Sequence, residues 1–184
     1  MIKDIKGGLQ VLAIDDKLHQ RGDKTTKLAF VLCQGTWLDK VLSAEIEVDG
    51  LDATGVVIKT LSPIVQQFRI ILTHGITTGG LNMIDIDAVH RVLDRPVIAV
   101  TENKPEGDLL YEAIKHVPGE AERRKILANA GEMHAFKPRA GETDVYFYIK
   151  GIDVKLATQF LKKFAVRSRL PECLLMAHKI ATGL

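Results

Sequence analysis

The chain has 184 residues, of which 46% are hydrophobic and 26% are charged, and this composition is typical of an ordinary globular protein. A chain of this size can bury a full hydrophobic core, so we expect one domain over residues 1–184. Disordered chains and collagen-like repeats are excluded. The 25 Lys and Arg residues nearly balance the 23 Asp and Glu residues, so the net charge of +2 identifies no class of partner.

The sequence predicts a cytoplasmic location. Cys33 and Cys173 lie far apart and neither has a CxxC partner, so the pattern indicates neither a disulfide framework nor a zinc site. No apolar run approaches the ~20 residues that span a bilayer. The segment MIKDIKGG lacks the apolar block of a signal peptide. We therefore expect a reducing compartment and no membrane partner.

The first part of the chain predicts an antiparallel meander. LQVLAIDD, residues 9–16, is an apolar run that ends in two carboxylates, which is typical of a buried strand. Two strand-like stretches follow, KLAFVLCQGTWL and KVLSAEIEVDG, and they are joined near residues 36–39. The apolar period becomes helical after Asp52, a candidate N-cap, and Pro63 is expected to kink or restart that helix.

The remaining elements predict parallel strands covered by helices. A buried strand is expected in FRIILTHG, residues 68–73, and another in RPVIAVTEN. Helices are expected over residues 86–93, 109–116, 120–130, 153–164 and 171–182, and short strands over 133–136 and 145–149. This order favours one α/β domain with a mixed sheet flanked by helices. Sites in such sheets gather at the carboxyl ends of strands, so the loops after Asp15, Thr73 and Val100 are the candidates.

Two aspartates end the first predicted strand. Asp15 and Asp16 would sit on a rigid strand end, where a carboxylate can hold Mg²⁺ or Mn²⁺, although a turn that simply closes the strand has the same pattern. His74 ends a later strand, and it is a candidate metal ligand, proton-transfer group or phosphate donor, or an ordinary hydrogen-bonded histidine. His178 lies at the edge of an apolar helix face, a position that favours a core histidine.

The segment THGITTGG offers backbone amides to an anion such as phosphate. It has neither the Gly-Lys-Ser/Thr ending of a P-loop nor the GxGxxG pattern, so a tight structural loop is the alternative. Asp85 opens the following helix, where it adds a metal ligand or complements the helix dipole. The basic residues at 162, 163, 167 and 169 are expected either to contact phosphates or to form a solvated face that complements a helix terminus, and the run at 122–125 is interpreted as a solvated helix face.

Four segments occur along the chain in the order AIDD, VDGLDAT, ILTHGITTGGLNMIDI and SRLPECLLMAHKIATGL. Together they resemble a largely archaeal uncharacterised family, domain of unknown function ninety-nine, which is related to endonuclease V. The resemblance covers almost the whole chain. It implies a ribonuclease H-like fold and a nuclease that uses Mg²⁺ or Mn²⁺ to cleave DNA or RNA near a deaminated purine. Under it, Asp15 matches the first metal-binding aspartate, His178 matches the family's histidine, and the C-terminal motif is matched by Arg169, Pro171 and Glu172.

The chain departs from the family pattern at several positions, three of which concern candidate site residues. His74 stands where the family carries a second strand aspartate. The glutamate expected in the helix after VDG falls at Gly55 or Val56, and Asp52 is the carboxylate nearby. The family lysine after the RPVIAV strand has only Lys104 as an offset candidate. The resemblance therefore implies an altered set of metal ligands.

The resulting hypothesis is an endonuclease V-related enzyme that acts on DNA or RNA with a divalent metal ion. The predicted catalytic residues are Asp15, His74 and His178, and Asp16 is added to Asp15 and His74 as a metal ligand. Mg²⁺ prefers oxygen ligands, so the two histidines would suit Mn²⁺ or Zn²⁺ better if these groups converge. The loop expected to line the cleft contains Gly75, Thr77, Thr78, Gly79 and Gly80, and the supporting residues are Asp52, Asp85, Lys104, Arg169 and Glu172.

Two other functions agree with the same residues. One is a nucleic-acid-binding module that keeps the cleft and its basic rim but has lost catalysis. The other is a small-molecule phosphate enzyme that uses the THGITTGG loop and binds mononucleotides in preference to oligonucleotides. An aromatic content of 5% argues against extensive base stacking in any of the three.

Overall fold

The computed structural model describes residues 4–104 and 107–184. Three antiparallel strands come first, β1 (Gln10–Asp16), β2 (Thr25–Gln34) and β3 (Trp37–Glu47). The helix α1 (Ala53–Leu61) follows, and Pro63 restarts the chain as a 3-10 helix (Ser62–Gln67) because proline cannot continue the α-helical hydrogen bonds. The buried strand β4 (Ile70–His74) comes next. The order of these elements is the predicted one. The turn of the meander lies at residues 35–36, earlier than the predicted 36–39, and β4 lies at Ile70–His74 where 68–73 is expected.

The loop after β4 is more regular than the sequence predicts. It contains a small hairpin made of β5 (Thr77–Thr78) and β6 (Asn82–Met83), where only a loop is expected. The turn of this hairpin has φ values of +51° at Gly79 and +80° at Gly80, a region that favours glycine. Strands of two residues are too short to produce an alternating pattern, so the sequence carries no signal for them.

The described residues after this hairpin form two long strands, one short strand and five helices. In chain order they are α2 (Ile86–Leu93), β7 (Val97–Thr101), α3 (Gly107–Ile114), α4 (Glu120–Ala130), β8 (His134–Phe136), β9 (Val145–Lys150), α5 (Val154–Phe164) and α6 (Glu172–Gly183). The helices α2 and α4 have the predicted bounds, and the others differ by one or two residues at their ends. Over the described ranges, none of the helices combines the length and the apolar character needed to cross a membrane.

Seven strands form one mixed sheet in the order β3-β2-β1-β4-β7-β9-β8. The central strands β1, β4 and β7 are parallel neighbours, and the strands on both sides of them are antiparallel. The carboxyl ends of three parallel strands therefore meet at one edge of the sheet, where parallel α/β sheets usually carry their sites. The predicted mixed sheet flanked by helices is confirmed.

The sheet has a hydrophobic core on each face. One core includes α1 and α2, and the other is covered by α5 and α6. Side chains alternate between the two faces along each strand. In the three parallel strands, the residues that face α5 and α6 are Val11, Ala13, Ile70, Leu72, Ile98 and Val100.

Candidate metal centre

Three side chains converge at the carboxyl end of the parallel strands. Asp15 is near the end of β1 and is only 5% exposed. Its Oδ2 lies 3.1 Å from Nδ1 of His74, the last residue of β4. The same oxygen lies 3.0 Å from Nδ1 of His178 on α6, and the two imidazole rings meet edge to face with centroids 5.9 Å apart. One carboxylate oxygen is thus shared by two histidines.

Strand alternation and register bring Asp15 and His74 together. Ala13 and Leu72 pair in the parallel register and both face α5 and α6. Asp15 and His74 come two residues later on the same strands, so they face the same helices. The helix α6 packs on β1 and β2 through buried residues that include Ala177, and this packing places His178 over the strand ends.

Within the cluster, the pKa of His74 is shifted by its neighbours. The hydrogen bond with Asp15 raises the pKa of His74 above its usual value, although burial acts in the opposite direction. The negative charges of Asp15, Glu102 and Asp16 raise it further. These neighbours therefore stabilise the protonated form of His74, and a metal ion bound to that ring would compete with the proton.

The donor atoms of this cluster suit a divalent transition metal. Asp15, His74 and His178 can each offer one ligand atom, and these atoms lie within 4.8 Å of one another. Imidazole nitrogens together with a carboxylate oxygen are typical ligands of Zn²⁺ and are also found with Mn²⁺, whereas Mg²⁺ prefers oxygen. The three residues are therefore close enough to share one ion, and their chemistry fits it.

Asp16 lies beside this cluster and has a different partner. Its Oδ2 accepts a hydrogen bond of 2.9 Å from the backbone N–H of Gly79. Burial raises the pKa of Asp16, and the Gly79 hydrogen bond partly opposes that effect. Asp16 therefore ties the hairpin turn to the end of β1, and it is not part of the three-residue cluster.

The glycine loop packs tightly against the turn that follows β3. A Cβ atom at Gly79 would lie 2.9 Å from Cδ1 of Ile46, and one at Gly80 would overlap Oδ1 of Asp49. The Thr78 hydroxyl is buried and has no hydrogen-bond partner among the described residues. Gly75 directly follows His74 with a φ of +73°, which turns the chain away from β4. The loop is thus fixed beside the cluster.

Arg123, on α4, forms hydrogen bonds with the glycine loop and with the turn after β3. The sequence predicts a solvated helix face at 122–125, and that interpretation is wrong at Arg123, which is 0% exposed. Its Nε donates to the carbonyl of Leu81 at 2.8 Å, and its Nη2 donates to the carbonyl of Gly50 at 2.8 Å. A guanidinium has five donors, so a cluster of backbone carbonyls can satisfy it without a carboxylate. Arg123 thereby joins α4 to the glycine loop and to the turn after β3.

Three of the predicted supporting carboxylates hold the fold and lie outside the cluster. Asp52 accepts a hydrogen bond of 2.6 Å from the side chain of Asn82. Asp85 caps α2, because its Oδ1 accepts from two backbone N–H groups of the first turn at 3.0 Å. Glu172 is buried at the start of α6 and accepts from the backbone N–H of Arg167 at 2.8 Å. None of the three belongs to the Asp15 group of potential ligands.

Arg169 forms an ion pair with Glu102, a residue that the sequence does not single out. Its Nη2 lies 3.1 Å from Oε1 of Glu102, and its Nη1 donates to the Thr143 hydroxyl. Glu102 directly follows β7, at one of the three predicted strand-end loops. Its place in the loop after Val100 is the signal for it, because β7 itself ends at Thr101. Glu102 is therefore an additional candidate site residue.

Lys104 lines a cavity next to the cluster. This cavity has a volume of about 270 Å³ and begins at Gly75, immediately after His74. Burial raises the pKa of Tyr148, which forms part of its wall. The remaining lining residues are Ile76, Thr77, Ala99, Thr101, Asn103 and Leu110. The wall is thus mainly apolar, with hydroxyl, amide and ammonium groups at a few points.

The sequence has relatives over nearly its whole length. The model of the endonuclease dU family matches residues 7–184. A UPF0215 protein from Methanopyrus kandleri is 38% identical over 185 residues, which cover 99% of this chain and 94% of the relative. A UPF0215 protein from Methanosarcina mazei is 35% identical over 182 residues, which cover 98% of this chain and 92% of the relative.

Solved structures share the fold. A protein of unknown function from Archaeoglobus fulgidus has a TM-score of 0.85 and 30% identity, over 95% of this chain and 97% of that one. Ciona intestinalis endonuclease V, in complex with DNA containing an inosine, has a TM-score of 0.62 and 11% identity, over 95% of this chain and 84% of that one. The catalytic domain of human endonuclease V has a TM-score of 0.61 and 13% identity, over 96% of this chain and 82% of that one.

The predicted ribonuclease H-like fold is confirmed by these structures, and endonuclease V shares that fold with this chain. The names of these archaeal relatives do not state an activity. The family assignment rests on the match over residues 7–184 and on relatives such as the one from Methanopyrus kandleri that is 38% identical. This chain belongs to the endonuclease dU family.

Proposed function

We propose that this protein is a metal-dependent endonuclease that cleaves DNA or RNA next to a deaminated base. The observation that carries the proposal is the convergence of Asp15, His74 and His178 at the carboxyl end of three parallel strands. The family name, endonuclease dU, agrees with this substrate class, and two fold neighbours are endonuclease V in complex with DNA containing an inosine. Deoxyuridine and inosine are both products of deamination.

The cluster gives each residue a role. Asp15 and the two imidazoles would hold Mn²⁺ or Zn²⁺, with Mg²⁺ as the third candidate. Such an ion supplies Lewis-acid stabilisation of the negative charge on the scissile phosphate. The His74 and His178 side chains are 30% and 50% exposed, so a substrate can approach them from the solvent side. Asp15 is buried below them and orients both rings.

The cavity beside Gly75 is assigned to the base. It adjoins His74 through the chain, and its apolar wall with a few polar groups is typical of a small-molecule pocket. An enzyme that acts at one base commonly draws it out of the stack, and this costs least for a damaged or mismatched base. Lys104 at the cavity and the exposed Lys179 beside His178 are the cations expected to contact backbone phosphates.

A second candidate function is nucleic-acid binding without hydrolysis. Two observations favour it. Position 74 is a histidine, and Asp52 is occupied by a hydrogen bond from the side chain of Asn82. Together they leave Asp15 as the single carboxylate in the cluster of potential ligands. Under this function, replacement of Asp15 would leave binding intact.

The test is cleavage of oligonucleotides that contain deoxyuridine, inosine or no damaged base, as single- and double-stranded DNA and RNA, with Mg²⁺, Mn²⁺ or Zn²⁺. Wild type is compared with Asp15→Asn, and Asp39→Asn on β3 serves as the matched control. We expect metal-dependent cleavage at the deaminated base, reduced at least about 100-fold by Asp15→Asn and unchanged by the control. Binding is measured by fluorescence anisotropy in the same samples.

The other outcomes separate the alternatives. Cleavage that is unaffected by Asp15→Asn would contradict the proposed centre. Binding without cleavage under every metal would favour the binding module. Preference for mononucleotides over all oligonucleotides would indicate a small-molecule phosphate enzyme instead.

A further inference from the structure

We propose that Cys33 and Cys173 form a reversible disulfide when the protein meets hydrogen peroxide. Both thiols are free in the structure, and both are buried, with exposed fractions of 0% and 3%. Cys33 lies on β2 and Cys173 lies in the first turn of α6, so the bond would join a strand to the helix that covers it. The pair lies outside the candidate metal centre, and the proposal does not depend on that centre.

The packing of α6 places the Cys173 sulfur next to Cys33. Sγ of Cys173 lies 3.5 Å from the carbonyl oxygen of Val11 and 3.4 Å from that of Val31. Val11 is the partner of Cys33 in the antiparallel register, and Val31 comes two residues before Cys33 on β2. All four side chains belong to the same hydrophobic core. The Cys173 sulfur therefore lies over the two strands at the level of Cys33, on the face to which the Cys33 side chain points.

The two thiols differ in acidity. The hydrogen bond with Cys173 lowers the pKa of Cys33, although burial acts in the opposite direction. Burial raises the pKa of Cys173 well above its ordinary value. Because peroxide oxidises the thiolate form, Cys33 is the residue that reacts first, and Cys173 is the residue that closes the bond.

Met176 separates Cys33 from an open cavity. The Cys33 thiol donates to Sδ of Met176 at 3.8 Å. Met176 also forms part of the wall of a cavity of about 450 Å³, together with the exposed side chain of Trp37. A methionine side chain is unbranched and flexible, so it can move aside at little cost. A molecule as small as hydrogen peroxide reaches Cys33 once this one side chain moves, whereas a protein oxidant is too large to do so.

The reaction consumes two thiols and one molecule of hydrogen peroxide. The Cys33 sulfur attacks one peroxide oxygen, the O–O bond breaks, and the departing oxygen leaves as water with the thiol proton, so that Cys33 becomes a sulfenic acid. The Cys173 sulfur then attacks the Cys33 sulfur, the S–O bond breaks, and the hydroxyl leaves as a second water with the Cys173 proton. The two sulfurs together lose two electrons to the peroxide. The product is uncharged, which suits its apolar surroundings.

The test is oxidation of the full chain by hydrogen peroxide after purification with a reductant. We expect intact-mass spectrometry to show the loss of two hydrogen atoms, and peptide mapping to find Cys33 joined to Cys173 within one chain. Because a cross-link between distant residues restricts the unfolded chain, we expect the melting temperature to rise by about 4 °C or more and to return when dithiothreitol is added. Cys173→Ala should lose both effects, and the matched control Met176→Leu, which keeps both thiols, should retain them.

The other products would overturn the proposal. A gain of oxygen atoms without a link between cysteines would show that the sulfur atoms are oxidised separately. A link between two chains would show that the buried pair does not close, and an unchanged mass would show that the oxidant does not reach it. If circular dichroism finds Cys173→Ala unfolded, the peptide map of the wild type decides alone, because it identifies the linked residues directly.

Discussion

A single oxygen atom organises the candidate site. Oδ2 of Asp15 accepts from two imidazoles that come from different elements, while Oδ1 accepts from the backbone N–H of Asp16 at 2.9 Å. Both oxygens of the buried carboxylate therefore have partners, as the cost of burying a charge requires. The identity of residue 74 decides which ion such a site prefers, because position 74 supplies a neutral nitrogen in place of a charged oxygen.

His74→Asp tests that preference. An aspartate at this position adds a hard oxygen ligand and a second negative charge, so we expect Mg²⁺ binding to strengthen about tenfold or more and Zn²⁺ binding to weaken. Titration of both ions by calorimetry measures the change, and His116→Asp in the exposed turn after α3 is the control for added charge. Unchanged Mg²⁺ binding in His74→Asp would show that residue 74 is not a ligand.

At the scale of elements, the hairpin of β5 and β6 is held from three sides. Asp16, at the end of β1, accepts a hydrogen bond from the backbone N–H of Gly79. Asp49 accepts one from the backbone N–H of Leu81 at 2.8 Å, and Arg123 donates one to the carbonyl of Leu81. These contacts reach the hairpin from β1, from the turn after β3 and from α4. The loop beside the candidate site is therefore part of the rigid framework.

Gly80→Ala tests this rigidity. A Cβ at Gly80 would overlap Oδ1 of Asp49 in addition to requiring a φ of +80°, so we expect a loss of about 1–3 kcal/mol in the free energy of unfolding and weaker metal binding. Gly22→Ala is the matched control, because its φ is +99° but nothing lies within 4 Å of the added atom. Equal losses in the two variants, measured by chemical denaturation, would contradict the role of the close contact.

For the molecule as a whole, the buried Glu172 links stability to pH. Burial by itself would raise the pKa of Glu172, but the hydrogen bonds and charge of Arg167 together lower it below its ordinary value of 4.5. A lowered pKa in the folded state means that Glu172 stabilises the fold fully above the unfolded pKa. This contribution is lost as the pH falls through the folded pKa.

Glu172→Gln tests the link. We expect the free energy of unfolding to fall by about 1–3 kcal/mol at pH 7, because a charged hydrogen-bond acceptor is lost from a buried site. The difference from wild type should shrink as the pH falls through 4.5 and vanish below the folded pKa. Urea denaturation at several pH values measures it, and Glu132→Gln should follow wild type throughout. A difference that is constant with pH would refute the ionic contribution.

The arrangement of the fold could be predicted well from local patterns. The meander, the restart at Pro63 and the bounds of α2 and α4 each follow from alternation, helical period or a capping residue such as Asp85. The hairpin of β5 and β6 could not, because its strands have two residues each. The buried state of Arg123 also could not, because its partners are carbonyls from segments distant in the chain.

The site could be predicted only in part. Asp15, His74 and His178 were candidates from strand ends and from the family resemblance, but their shared contact depends on β4 lying directly beside β1 and on α6 packing over both. The order of strands in a sheet is a property of the whole fold, which no single segment specifies. Glu102 had a readable signal only in its position directly after β7, and it becomes meaningful only when His74 is known to lie on the neighbouring strand.

The contact between Asp15 and His178 joins residues 163 positions apart in the chain. An ion held between them would link the first strand to the last helix, and the unfolded chain would have no such site. Ligands that bind only the folded state add to its stability, by about 2.7 kcal/mol when their concentration is 100 times the dissociation constant. The centre would then determine heat resistance as well as chemistry, and a chelator would lower the melting temperature of the protein even without substrate.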